Sequence, residues 1–234
     1  MDKKRKRIVV FASGSGTNFE EIVKKAKSNY IEADISLLIS DKASAGAIRR
    51  AINLGVVPVV INWKNREEAE NKTLKILQIV EPDLIVLAGF MRILSPQFVS
   101  EWKYKILNIH PSLLPAFQGT TKAIDLAYKH GVKITGCTVH FVDESVDGGP
   151  IIIQAAVTIN DDDTSEKIAE KIHKLEHKIY PWAIKKVIEG KIKIEGRKVK
   201  IIDEETTNDK EIIKKEDREN FLQEGILISP KIKI

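Results

Sequence analysis

Cysteine is almost missing from this chain: Cys137 is the only one in 234 residues. No intrachain disulfide and no cysteine cluster for a metal can therefore form, and a reducing compartment, the cytoplasm, is the expected setting. Aromatic residues make up only 6% of the chain. Few of them lie beside a basic run, which removes the stacking platform that single-stranded nucleic acid needs. No apolar run approaches the ~18 residues that suggest a membrane span. The run "IVVFASGSG" breaks into glycines before it reaches the roughly 7 to 15 apolar residues of a secretory core. Nor is there a strong charge of one sign: 38 basic residues stand against 33 acidic ones, a net charge of +5. Several of the basic residues sit in "MDKKRKR", which reads as a solvated extension rather than a nucleic-acid arm. The expected partners are small molecules, with neither nucleic acid nor membrane among them.

What is present is ordinary globular material, 43% hydrophobic and 30% charged. The length favours one large domain over two small ones. Short β-branched runs at 8–12, 35–39, 56–61, 84–89 and 106–110 read as strands. Between them, Phe19, Ile22, Val23 and Ala26 keep the i, i+3, i+4, i+7 spacing of a helix that packs on a sheet. Further helices are expected near 48–54, over 66–80, from Ser95-Pro96, near 123–129 and over 165–189. Asp163 with Glu166 forms a capping-box start for the last of these. Two more strands (137–142 and 151–157) and a hairpin around Glu195-Gly196 complete the pattern. Repeated strand–helix–strand units predict an α/β fold with a doubly wound, mostly parallel sheet and a Rossmann-like N-terminal half. Residues 1–202 read as one domain and 203–234 as a charged C-terminal extension.

Four stretches carry candidate chemistry. In "SGSGTN", Gly14 and Gly16 let the backbone approach a ligand, and the helix that follows offers free N–H groups and a partial positive charge to an anion. The third glycine of a dinucleotide fingerprint is replaced by Phe19, and no P-loop lysine follows. Phosphate binding competes here with a plain turn capped by Thr17 and Glu20. "LNIHPSLLP" places Asn108 and His110 on one face of a strand end, before Pro111 and Pro115 stiffen the loop. "VDESVDGGP" brings Asp147, which would orient an imidazolium if it faced His110, or would serve only as a turn residue. "HKLEH" matches an inverted zinc-protease pattern, His173 to His177, but zinc would need a third protein ligand. A helix with Glu176 turned toward a pocket competes with it. Cys137 sits in mid-strand with no activating neighbour in sequence and reads as a buried thiol.

These motifs, with "AGFMRILSP", "TGCTVHFVDESVDGGPIIIQ" and "LEHKIYP" in the same order and spacing, resemble the phosphoribosylglycinamide formyltransferases, folate-dependent enzymes of purine synthesis. The resemblance runs from Arg7 to about Ile202. It implies transfer of a formyl group from 10-formyltetrahydrofolate to the glycinamide amine, with no metal. Residues 7–105 would then bind phosphate and 106–202 would hold folate and catalyse. The resemblance assigns catalysis to Asn108, His110 and Asp147, and the phosphate to Gly16, Thr17 and Asn18. Ribose falls to Glu176. Folate falls to Arg66, Met91, Arg92, Ile93, Leu94, Asn108, Val142 and Asp143. One departure is "GTTKAIDLA" after Gly119, where many members carry a histidine. Another user of 10-formyltetrahydrofolate, such as the hydrolase, is the nearest alternative, and it would need an added N-terminal regulatory domain. A monomer or homodimer is expected.

Overall fold

A computed structural model describes residues 5–202 and 227–229. The elements run β1 (Lys6–Phe11), α1 (Thr17–Lys27), β2 (Ala33–Ser40), α2 (Gly46–Asn53), β3 (Val57–Val60), α3 (Arg66–Val80), β4 (Leu84–Leu87), α4 (Pro96–Glu101) and β5 (Ile106–His110). They continue with α5 (Ala123–Lys129), β6 (Ile134–Phe141), β7 (Ile151–Thr158), α6 (Ser165–Ile188), β8 (Ile192–Glu195), β9 (Lys198–Ile201) and β10 (Leu227–Ser229). One ten-stranded sheet takes the order β3-β2-β1-β4-β5-β6-β7-β9-β8, and β10 also pairs with β7. Strands β1 to β5 run parallel to one another, whereas β6 pairs antiparallel with both β5 and β7.

The central parallel strands β1 and β4 are buried on both faces, which is why they read as continuous apolar runs, whereas β3 at the sheet edge is half-exposed. Alternate residues of β1 feed opposite cores. Ile8 and Val10 join α1, α2 and α6 on one side, while Val9 and Phe11 join α3 and α4 on the other. The strand order reverses between β1 and β4, so the loops leaving them diverge and open a crevice at the carboxyl edge, where α/β sheets bind ligands. Tyr180 of α6, fully buried, reaches this edge and bonds the carbonyls of Leu87 (2.9 Å) and Leu107 (3.1 Å).

Three local expectations change. The cap of α6 is Thr164, whose side chain accepts from Lys167 N at 3.3 Å. Asp163 instead turns back to accept from Asn160 N and pairs with Lys171. Thr17 does not cap α1, because Gly16 holds the N-cap position at φ 80° and no side chain closes the first turn. The basic N-terminal stretch is partly built in: Arg5 pairs with Asp34, Lys6 with Asp83 and Arg7 with Glu81. Within the expected extension, Leu227–Ser229 adds a strand, and the rest of that extension lies outside the described residues.

Candidate active site

β5 ends at the crevice with Ile109 packed in the core, and Asn108 and His110 belong to the opposite face. Asp147 arrives from the loop after β6 with a left-handed φ of 54°, unusual for a residue other than glycine. Its carboxylate gathers the cluster. Oδ1 accepts from Asn108 Nδ2 at 3.2 Å, and Oδ2 accepts from Gly119 N at 3.0 Å and lies 3.3 Å from His110 Nδ1. The other His110 nitrogen, Nε2, faces the Phe117 carbonyl at 3.0 Å. Both ring nitrogens thus meet acceptor oxygens, an arrangement filled completely when both carry protons.

A fourth side chain, His140, went unassigned in the sequence. It pairs directly across from Asn108 in the β5–β6 register. Burial pushes its pKa down, against the opposing pull of the Phe141 carbonyl and Asp147. The neutral ring donates from Nδ1 to the Phe141 carbonyl (2.8 Å) and accepts the Asn108 amide on Nε2 (3.2 Å). Asn108 therefore spends one amide proton on His140 and one on Asp147, which leaves its carbonyl oxygen as the atom able to accept from a ligand. The signal that could have found His140 is its place in "TVHF", but cross-strand register is not written in sequence.

Beside this cluster, Gly16 allows the turn into α1. A Cβ there would lie 2.6 Å from Ala47 Cα. The first-turn N–H groups of a helix have no intrahelical partner, and here no cap takes their place. Asn18 donates from Nδ2 to Glu176 Oε2 at 2.8 Å, and its own Oδ1 is buried without a partner among the described residues. Glu176 is 4% exposed, and burial lifts its carboxyl to about 7 despite that hydrogen bond. The "HKLEH" glutamate thus faces the phosphate turn, while His173 stays exposed. Among the described residues no group of three His, Cys, Asp or Glu could hold a metal. Arg50, also missed in the sequence, braces the turn by donating to the Ser15 carbonyl at 3.0 Å. Cys137 is fully buried, and burial with nearby Glu176 raises its thiol pKa well up, so it is no nucleophile.

A cavity of about 290 Å³ joins Asn108, His110 and Asp147 to Met91, Arg92, Ile93 and Leu94 on one wall and Val142 and Asp143 on another. Thr120 and Thr121 of the divergent segment line it too, whereas Arg66 opens α3 and is not among the lining residues. Met91 and Ile93 are 53% and 62% exposed, an apolar surface suited to a flat ring. The Ser13 N–H bonds the Gly89 carbonyl, and the Ser13 hydroxyl accepts from Met91 N (2.9 Å), so the phosphate turn and this wall are joined.

The sequence pattern of the formyl transferase family matches residues 6–184. Phosphoribosylglycinamide formyltransferase of Bacillus subtilis (strain 168) is 44% identical over 186 residues, covering 78% of this chain and 95% of that protein. The trifunctional purine biosynthetic protein adenosine-3 of Homo sapiens is 41% identical over 82% of this chain, which spans 19% of that protein's length. Among solved structures, glycinamide ribonucleotide transformylase 1 from Symbiobacterium toebii aligns with a TM-score of 0.82 at 42% identity. That alignment covers 85% of this chain and 95% of the other.

Proposed function

The chain belongs to the formyl transferase family, and from that premise we propose how its residues carry out the reaction. It is a phosphoribosylglycinamide formyltransferase of purine biosynthesis. The family's co-substrate is 10-formyltetrahydrofolate, and the reaction moves its formyl group to the glycinamide amine. The phosphate binds the free N–H groups of Gly16, Thr17 and Asn18. Ionised Glu176 accepts from ribose hydroxyls. The pterin lies between the Met91–Leu94 wall and the Val142–Asp143 side.

The observation that carries the mechanism is the single carboxylate of Asp147 within 3.3 Å of both Asn108 and His110. Attack by the amine turns the formyl oxygen into an oxyanion, and the His110 Nε2–H, exchanging the Phe117 carbonyl for that oxygen, stabilises it. Asn108 orients the incoming amine through its free carbonyl oxygen, its own amide being locked by His140 and Asp147. With both amide protons engaged, the hydrogen bonds favour this acceptor's role over a donor's. As the new C–N bond forms, the amine loses a proton, and as the old one breaks, the folate nitrogen gains one. Asp147, bonded to both neighbours, holds the proton between these events.

The test is formyl transfer to glycinamide ribonucleotide from 10-formyltetrahydrofolate by the wild type, His110→Ala and Asp147→Ala. Transfer by the wild type and losses of about 10²-fold or more in both variants support the reading. Formate release without need of the amine would assign the chain to the hydrolase instead.

A further inference from the structure

We propose that Asp41 is a positioning residue for the folate site: it holds Arg92 so that the remaining guanidinium N–H groups face the carboxylate-bearing end of the co-substrate. The inference rests on the folate reading of the cleft and adds a residue from the opposite half of the sheet.

Asp41 directly follows β2, at the carboxyl edge where the crevice opens. The turn around it is fixed. The Ser40 hydroxyl accepts from Lys42 N and donates to the Lys42 carbonyl, and the Ser40 carbonyl takes the Ile61 N–H. The Asp41 side chain is 0% exposed, yet its partner is a cleft residue: Arg92 donates from Nε to Oδ2 at 2.7 Å. Its second oxygen, Oδ1, is buried with no partner among the described residues. A buried carboxylate is costly unless paired, and here the pairing is with a side chain 40% exposed in the folate cavity.

The geometry has a chemical consequence. Using Nε for Asp41 leaves the two terminal nitrogens of Arg92 with four N–H donors in a fixed plane. Such a fork matches a carboxylate bidentately, and folates end in a glutamyl group. The neighbouring Met91 N–H is held in the same way by Ser13. Two successive wall residues are thus anchored by the ends of β1 and β2, so little ordering is left for the ligand to impose.

The test compares Asp41→Ala and Asp41→Asn with the wild type. Calorimetric affinities are measured for tetrahydrofolate and for tetrahydropteroate, which lacks the glutamyl carboxylates, and KM values are measured for both substrates. We expect Asp41→Ala to weaken tetrahydrofolate by about tenfold and Asp41→Asn by about threefold. Tetrahydropteroate and the KM for glycinamide ribonucleotide should change less than about twofold. Asp41→Asn, which keeps the size and an acceptor oxygen, carries the test if the alanine variant does not fold. Equal weakening of both pterins, or no weakening of either, would overturn the assignment. A wild type that binds tetrahydrofolate but transfers no formyl group would count against the proposed function, and this binding comparison would still stand.

Discussion

Glu176 offers a quantitative prediction. Its carboxyl is buried and lifted from an ordinary 4.5 to about 7, burial being the main cause and the Asn18 bond an opposing one. The native state therefore holds this proton more tightly than the unfolded chain. By linkage, the stability it contributes is fully present below about 4.5 and is lost as pH rises to about 7, staying flat beyond. The displacement corresponds to about 3 kcal/mol. Glu176→Gln removes the ionisation while leaving a group that Asn18 can bond. Urea unfolding of both proteins at pH 4.5 and pH 8 isolates the effect as a difference of differences. The wild type should lose about 3 kcal/mol more than Glu176→Gln across that interval. The same ionisation should make substrate binding tighten toward pH 7 in the wild type, and less so in Glu176→Gln. A stability difference between the two proteins that does not vary with pH would refute the reasoning.

Other perturbations test separate parts of the site. Gly16→Ala combines a φ of 80° with a Cβ 2.6 Å from Ala47 Cα, so thermal unfolding should show a loss of about 2 kcal/mol or more and the KM for the phosphate substrate should rise. His140→Phe removes the acceptor that fixes the Asn108 amide. Steady-state assays should show kcat falling about tenfold to a hundredfold, with both KM values nearly kept. Cys137→Ser should leave kcat within about twofold while lowering the urea midpoint, because a hydroxyl replaces a fully buried thiol.

Much of the fold was legible because local signals agreed. β5 spans 106–110 as expected, its apolar run stopped by Pro111. Helix α3 runs 66–80, where a left-handed Glu81 before Pro82 ends it. The expectations failed where a local motif competed with tertiary position. In "DDDTS" the residue adjoining the helix, Thr164, takes the cap, and the nearby acid serves an ion pair. In the site, Asn108 and His110 follow from strand period, whereas the nearness of Asp147 depends on its loop folding back toward β5. His140, Arg50 and Asp41 depend on register and loop packing between distant segments, which no spacing along the chain encodes.

The most direct test of the site is a double-mutant cycle in kcat for formyl transfer, using His110→Ala, Asp147→Ala and the pair. If Asp147 acts by holding His110 in a working unit, the double variant should be about as slow as the slower single one. A double variant slowed by the product of the two single losses would show independent action and contradict the account.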